Sequence, residues 1–265
     1  MIKQTKIYYG ILSNNRTELL KKTINSILTS NIKDFGIVIS DNCSDDSTIL
    51  FLKSLLNNQN IHIIFNKDKS LEKNKSYGRN RIIDKVLELS KGDSNTYLRF
   101  IDDDDYFNSI GLKLEYNKIS ESKNKDIYFV KRVTRENFNT FNKNRDVNPN
   151  LMFEGTHTIY INNRLLKEYP NIRYDEINHP IYKEDLIFFV TLISKVFSYD
   201  DFEDNEVLKL NLDFSYYYVK TCRLTQNELK TLNSYEDMNK LQSKLMKSLI
   251  SILKSKNKIL KKELY

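Results

Sequence analysis

The chain has 265 residues, of which 40% are hydrophobic, and this is enough to bury the core of one large α/β domain. The composition excludes a wholly disordered chain, and no apolar run is long enough to cross a bilayer. Residues 1–12 are expected to lead into a strand rather than to form a signal peptide. Because Cys43 and Cys222 are too few for a disulfide framework, we expect a cytoplasmic protein.

The formal net charge of +7 is unevenly distributed along the chain. Residues 240–262 contain eight lysines and no acidic residue, which exceeds the net total. The rest of the chain is therefore close to neutral, and we expect no nucleic-acid partner.

In the first 105 residues, short apolar runs alternate with segments of helical periodicity. The predicted strands cover 6–12, 36–40, 61–65 and 96–101. The predicted helices begin near Thr17 and Asp46 and cover 76–90. This alternation predicts a parallel sheet with right-handed crossover connections.

Beyond residue 106 the pattern is weaker. Helices are expected at 110–121 and 184–197, and strands at 127–133, 157–162 and 216–219. Residues 134–154 are expected to form a polar loop, and the chain from about 226 to its end a helix.

Polar clusters follow three of the predicted strands directly. They lie at 13–16, 41–46 and 102–105. The carboxyl ends of parallel strands meet at one edge of a sheet, and ligands of such sheets bind there. The sequence therefore predicts a polar ligand site at that edge.

The acidic run Asp102–Asp105 follows the strand predicted at 96–101. Four consecutive carboxylates repel one another, and a divalent cation with oxygen ligands, such as Mg²⁺ or Mn²⁺, would relieve that repulsion. A solvated turn that caps the next helix is the alternative, since short motifs also occur by chance. The position of the run after a strand of this sheet favours the cation.

Asp41 directly follows the strand predicted at 36–40. A carboxylate at a strand end can accept a hydrogen bond from the N3–H of uracil or from a ribose hydroxyl. Asp45 or Asp46 is expected to cap the next helix whatever the function, but Asp41 lies too far upstream for that role.

Short motifs in a fixed order along the chain resemble those of a known family. They are Ser13-Asn14-Asn15-Arg16, Asp41-Asn42-Cys43-Ser44, Gly78-Arg79-Asn80, Asp102-Asp103-Asp104-Asp105, Glu184-Asp185, and Tyr217-Tyr218 through Arg223-Leu224-Thr225. With these motifs the chain resembles the family 2 glycosyltransferases over residues 6–225.

The resemblance implies an α/β fold with a single Rossmann-like nucleotide-sugar-binding domain, the A-type glycosyltransferase fold, around a mixed central sheet. Residues 1–225 would form the catalytic domain, with a nucleotide-binding half at 1–105 and an acceptor-binding half at 106–225. Residues 226–265 would form a basic, amphipathic helical C-terminal extension.

The resemblance also implies roles for single residues in an inverting transfer from a nucleotide diphosphate donor. Asp41 would bind the base, Asp102 would face the ribose, and Asp104 would hold Mn²⁺ or Mg²⁺. Asp185 would be the general base that takes the proton of the acceptor hydroxyl. The other donor-binding candidates are Ser13, Asn15, Arg16, Arg79, Asp103 and Arg223. Candidates for acceptor contacts or for a loop over the diphosphate are Glu184, His157, His179 and Lys220.

The chain departs from the family pattern at two positions and leaves one alignment open. Leu12 stands where the family usually has proline, and Asn14 where it usually has an aromatic residue. Aligning Ile101 with the last apolar residue of the family's strand makes Asp102 and Asp104 the metal-site pair. The alternative pair is Asp103 with Asp105.

By resemblance, the donor is expected to be a UDP-hexose or UDP-N-acetylhexosamine. The acceptor is expected to be a growing cell-surface glycan or a lipid-linked acceptor, as in bacterial capsule or lipo-oligosaccharide assembly. Two other interpretations stay open, namely a non-catalytic binding module of this fold and a sugar nucleotidyltransferase. A nucleotidyltransferase usually has a glycine-rich phosphate loop, and residues 13–20 contain no glycine.

Residues 240–262 combine an apolar stripe at helical spacing with the cluster of lysines. Such a helix can lie on an anionic membrane, here the inner face of the cytoplasmic membrane. The same stripe would equally serve to pack on the catalytic domain or to form a homodimer.

Overall fold

The structure is a computed structural model that describes residues 4–122, 126–129, 132–137, 140–146, 159–177, 184–196 and 216–218. The strands are β1 Lys6–Ser13, β2 Phe35–Asn42, β3 Ile61–Asn66, β4 Thr96–Asp102, β5 Ile127–Phe129, β6 Arg132–Asn137, β7 Thr140–Asp146, β8 Ile159–Asn162 and β9 Tyr216–Tyr218. The helices are α1 Thr17–Leu28, α2 Asp46–Ser54, α3 Lys75–Ser90, α4 Ser109–Glu121, α5 Asn163–Glu168 and α6 Glu184–Val196. Among these helices, none is long and apolar enough to cross a membrane.

The main sheet has six strands in the order β3-β2-β1-β4-β8-β5. The first four strands in the chain are parallel, whereas β8 is antiparallel both to β4 and to β5. A second sheet has the order β7-β6-β9. The predicted α/β class with a mixed central sheet is confirmed.

Helices cover both faces of the parallel part of the sheet. In β1, Ile7, Tyr9 and Ile11 belong to the hydrophobic core on one face, and Tyr8 belongs to the core on the other face. Strands buried on both sides need apolar residues at consecutive positions rather than at alternate ones. For this reason the strands could be predicted from short continuous apolar runs.

Helix α3 packs closely against the carboxyl ends of β1 and β2. A Cβ atom at Gly78 would lie 2.2 Å from Leu12 Cδ1 and 3.0 Å from Asn42 Oδ1, so any other residue would force the Leu12 side chain to move. The helix begins after Asn74, whose side chain accepts a hydrogen bond from the N–H of Tyr77. As a result, the first turns of α3 lie at the edge of the sheet where the polar clusters meet.

A buried ion pair holds β4 against its neighbours. Arg99 and Glu115 are at most 1% exposed, and Arg99 donates hydrogen bonds to Glu115 and to the hydroxyl of Tyr160. The pair joins β4 to α4 and β8, and removing either charge would leave the other buried without compensation. It therefore helps to fix the strand that carries the acidic run, and sequence analysis did not predict it.

The structure corrects three predictions of secondary structure. The loop predicted at 134–154 is wrong over 134–137 and 140–146, which belong to the antiparallel pair β6 and β7. The strand predicted at 127–133 is divided between β5 in the main sheet and β6 in the small one. Helix α5 was not predicted, because six residues are too short for a helical period to stand out. The helix predicted beyond 226 lies outside the described residues.

Candidate active site

The polar clusters of β1, β2 and β4 lie side by side at one edge of the sheet. Ser13 pairs with Asp41, and Leu12 pairs with Asp102. This agrees with the position predicted from the alternation of strands and helices. The site is therefore built on the ends of rigid, buried strands.

Two turns are joined at this edge. The N–H of Asn15 donates to Ser44 Oγ at 2.9 Å, and the N–H of Asp45 donates to the side-chain oxygen of Asn15. Asn15 and Cys43 have φ values of 54° and 58°, a conformation that asparagine tolerates better than most residues. The side chain of Asn15 thus connects the turn after β1 with the turn after β2.

Asp41 is fully buried at the end of β2. Its Oδ2 accepts a hydrogen bond from the N–H of Ser44 at 3.2 Å. Within the described part of the chain, neither Asp41 Oδ1 nor the buried hydroxyl of Ser13 has a hydrogen-bond partner. Burial raises the pKa of Asp41 above its ordinary value. Buried polar atoms without partners are uncommon, and Ser13 and Asp41 are paired residues of β1 and β2 at the edge where a ligand is expected.

Arg79 is the centre of an ion-pair network between α3, β4 and α6. Its guanidinium lies 2.5 Å from Asp185 Oδ1, 2.9 Å from Glu184 Oε1 and 3.2 Å from Asp102 Oδ1. The side chain is buried, which by itself disfavours its charge. The nearby carboxylates, that of Asp185 above all, outweigh burial and raise the pKa of Arg79 above its usual range. Arg79 therefore brings the acidic residues of two distant motifs together.

The acidic run after β4 contains a group of carboxylates that could hold a cation. One oxygen from each of Asp102, Asp104 and Asp105 lies within 4.8 Å of the other two. Three carboxylate oxygens at this spacing fit the preference of Mg²⁺ or Mn²⁺ for hard oxygen ligands. The group includes both residues of the assigned pair, Asp102 and Asp104.

Asp103 lies outside that group and faces the turn after β1. It accepts hydrogen bonds from the N–H of Asn14 at 3.4 Å and from Arg16 at 3.2 Å. The same guanidinium nitrogen of Arg16 lies 2.8 Å from Asp104 Oδ2. Burial raises the pKa of Asp103 to about 7, although Arg16 opposes the shift. Arg16 therefore compensates part of the negative charge of the run.

Glu184 and Asp185 occupy the first turn of α6. The side chain of Glu184 is 9% exposed and that of Asp185 is 28% exposed. Burial raises the pKa of Glu184, and Arg79 opposes this rise. Of the two carboxylates, only that of Asp185 is accessible enough to reach a bound molecule from the solvent side.

The structure adds Tyr174 and Asn74, and it gives a role to Asn80, which the sequence analysis named only as part of a motif. Tyr174 lies against Arg79, whose guanidinium carbon is 5.3 Å from the centre of its ring. Asn80 binds the backbone of Tyr174, and Asn74 binds that of Glu176. For Asn80 the available signals were that motif and the position of an asparagine inside the helix predicted at 76–90, since asparagine is a poor helix former. The candidates His157, His179, Lys220 and Arg223 lie outside the described residues.

The sequence profile of glycosyl transferase family 2 matches residues 11–183, more than half of the chain. The chain belongs to the family 2 glycosyltransferases. A comparison with curated proteins found no significant match. The family assignment therefore depends on the profile match.

Solved structures share the fold of this family 2 chain at low sequence identity. S. aureus TarS 1–349 in complex with UDP-GlcNAc is 19% identical, with a TM-score of 0.62, over 82% of this chain and 59% of that one. Mannosyltransferase PcManGT from Pyrobaculum calidifontis, in complex with GDP-Man and Mn²⁺, is 8% identical, with a TM-score of 0.52, over 81% of this chain and 57% of that one. The chain spans about 60% of the length of TarS 1–349. At these identities the likeness shows the A-type glycosyltransferase fold and nothing finer.

Proposed function

We propose that this protein is an inverting glycosyltransferase that moves a sugar from a nucleotide diphosphate donor to an acceptor hydroxyl. The observation that carries the proposal is the contact of Arg79 with Asp102, Glu184 and Asp185. It joins the end of β4, where a metal and a diphosphate would lie, to the candidate general base on α6. The network thereby brings the first turn of α6 to the edge of the sheet where the donor would bind.

The donor would bind along the edges of β1, β2 and β4. The unpartnered atoms Asp41 Oδ1 and Ser13 Oγ are suited to a base and a ribose. Asp102 would face the ribose as well. The remaining donor-binding candidates are Asn15, Arg16, Arg79 and Asp103, with Arg223 proposed from the sequence alone. The donors bound by TarS and PcManGT, UDP-GlcNAc and GDP-Man, are of the expected chemical class. We favour a UDP-hexose or a UDP-N-acetylhexosamine.

A divalent metal, Mn²⁺ or Mg²⁺, would be held by Asp104, with Asp102 and Asp105 close enough to share it. Such an ion supplies charge neutralisation for a departing nucleoside diphosphate. Arg16 would lie beside it, because its guanidinium already contacts Asp104. The Mn²⁺ in the PcManGT complex is in keeping with this choice of ion.

Asp185 would act as general base. Its carboxylate would take the proton of the acceptor hydroxyl while the hydroxyl oxygen attacks the anomeric carbon and the bond to the diphosphate breaks. One displacement from the opposite side inverts the configuration of that carbon. Arg79 would orient Asp185, and the buried Glu184 would balance the charge of Arg79.

The acceptor would be a growing cell-surface glycan, free or lipid-linked, as in capsule or lipo-oligosaccharide assembly. Transfer to such an acceptor would take place at the inner face of the cytoplasmic membrane, where the lysine-rich stripe at 240–262 would attach the catalytic domain. Removal of the chain after Asn239 tests this. If the stripe is an anchor, binding to vesicles with anionic lipid is lost and transfer to a soluble acceptor is kept. Insoluble protein or a halved mass in solution would show instead that the stripe belongs to the core or to a dimer interface.

Release of nucleoside diphosphate from a panel of donors with Mn²⁺ tests the function itself. We expect Asp185→Asn to keep the UDP affinity of the wild type and to lower turnover at least ~10²-fold, as the loss of a general base does. Glu88→Gln, an exposed change on α3, is the control and should behave as the wild type. Wild-type turnover in Asp185→Asn would exclude the general-base role. Pyrophosphate release from a nucleoside triphosphate would indicate a nucleotidyltransferase, and neither product would indicate a binding module.

A further inference from the structure

Asn80 binds the segment 172–177, which carries no regular secondary structure, as a neighbouring strand would. Its Nδ2 donates to the carbonyl oxygen of Tyr174 at 2.9 Å, and its Oδ1 accepts from the N–H of the same residue at 2.9 Å. The Nδ2 also donates to Glu176 Oε1 at 2.6 Å. A side-chain amide carries a donor and an acceptor side by side at every pH, so neither an ionised aspartate nor a leucine could make this set of bonds.

The backbone held by Asn80 places the ring of Tyr174 in the core. The ring stacks on that of Phe188, with the centres 4.2 Å apart and the planes 8° from parallel. It also meets Phe100 edge-on at 5.6 Å. Tyr174 and Phe188 are at most 2% exposed, so a shift of one ring would displace the other or open a cavity.

Phe188 lies three residues after Asp185, on the same side of α6. The first turn of α6 is therefore held at two points. Arg79 binds Asp185 directly, and the Tyr174 ring supports Phe188 one turn further on. Both supports start from adjacent residues of α3, since Asn80 directly follows Arg79.

We propose that Asn80 is a positioning residue, which fixes the place of Asp185 through Tyr174 and Phe188 without touching the donor. This inference rests on the proposed function for its kinetic consequence, because it takes Asp185 as the base. Its structural consequence, the dependence of α6 on Asn80, stands independently. Asn80→Asp should keep an acceptor for the N–H of Tyr174 but lose both bonds that Nδ2 donates, and the new carboxylate would face the carbonyl oxygen of Tyr174 and the carboxylate of Glu176.

Hydrogen exchange on the full chain provides the structural test. In Asn80→Asp we expect exchange at least about tenfold faster both in 172–177 and in the first turns of α6. The double variant N80D/E176Q should recover part of the protection, since an amide opposite the new carboxylate restores a donor. Asp84→Asn is the matched control. It removes the exposed ion pair of Asp84 with Arg173, which ties the same segment to α3, and should leave α6 unchanged.

Kinetics provide the functional test, measured as nucleoside diphosphate release from the donor. Asn80→Asp should lower kcat by about ten- to a hundredfold, the scale of a small misplacement of a reacting group, with KM for the donor within about twofold of the wild type. The double variant N80D/E176Q should recover part of the kcat that Asn80→Asp loses. A residue that served stability alone would not separate kcat from KM in this way.

The outcomes separate the two proposals. If α6 exchanges as in the wild type while 172–177 opens, or if kcat stays unchanged, Asn80 does not position Asp185. If Asn80→Asp does not fold, Tyr174→Leu tests whether the ring supports α6. This variant keeps the backbone bonds to Asn80 and removes the ring stack on Phe188. It should speed exchange in α6 alone, and wild-type exchange there would refute the inference. If the wild-type protein releases no nucleoside diphosphate, the proposed function fails, and exchange alone decides the role of Asn80.

Discussion

Arg79→Met should destabilise the protein strongly and in a pH-dependent way. Arg79 is 4% exposed, and its guanidinium forms ion pairs with three carboxylates. Methionine keeps most of the apolar stem and removes the charge. The side chains of Asp102 and Asp185 are 44% and 28% exposed, so water can solvate their charges. The side chain of Glu184 is only 9% exposed. Most of the destabilisation therefore comes from leaving the carboxylate of Glu184 buried without a counter-charge.

Removing one partner of a buried ion pair costs about 3–5 kcal/mol in the free energy of unfolding. For a chain of this size that corresponds to a fall in Tm of roughly 6–20 °C. Burial already raises the pKa of Glu184, and without Arg79 the rise is larger. A carboxyl group whose folded pKa exceeds its unfolded pKa binds more protons in the native state, so stability falls as pH rises between the two values. The loss of unfolding free energy in Arg79→Met should therefore be largest near pH 8 and smaller near pH 5.

Thermal unfolding of the wild type and three variants between pH 5 and pH 8 measures this. Arg79→Met should lose stability as stated, and R79M/E184Q should regain most of it at pH 8 and little at pH 5. Lys85→Met is the control on the same helix, because its pair with Glu88 is exposed and is worth no more than about 1 kcal/mol. The reasoning would be refuted if the double variant were no more stable at pH 8 than Arg79→Met alone.

Two further predictions concern the acidic run. Asp104→Ala should remove most of the dependence of UDP affinity on Mn²⁺, measured by calorimetry, with Glu88→Gln as control. If only Asp105→Ala removes that dependence, the metal-site pair is Asp103 with Asp105. Because burial raises the pKa of Asp103 from 3.8 to about 7, the metal-free protein should lose stability as pH rises between these values and stay level above them. Asp103→Asn should flatten that part of the curve of Tm against pH, and an unchanged slope would mean that another group titrates there.

Much of the first half of the chain was predictable from local sequence. Helices cover both faces of β1 to β4, so these strands need continuous apolar runs, and such runs are visible without the fold. The sheet topology then required the polar residues after β1, β2 and β4 to meet at one edge, and Ser13, Asp41 and Asp102 do lie there. The order of the short motifs was enough to indicate the family, which the profile match shows.

In the second half, β6 and β7 were less predictable, because their sequences are mostly polar. Strands β6 and β7 pair through backbone hydrogen bonds, which any non-proline residue can form. A hydropathy pattern registers burial of side chains and not backbone pairing, so these residues looked like a loop. The short helix α5 gave no periodic signal, because six residues are too few to show a helical period.

The tertiary structure alone decided which side chains bind each other. The contact of Arg79 with Asp185 spans 106 positions, and the reciprocal bonds between Asn80 and Tyr174 span 94. Nothing in a local window distinguishes a helix-surface arginine from the centre of an ion-pair network, or a helical asparagine from a support for a distant ring. Local sequence determines which positions are buried and where strands end, whereas the pairing of charges and amides depends on segments that only the folded chain brings within hydrogen-bond distance.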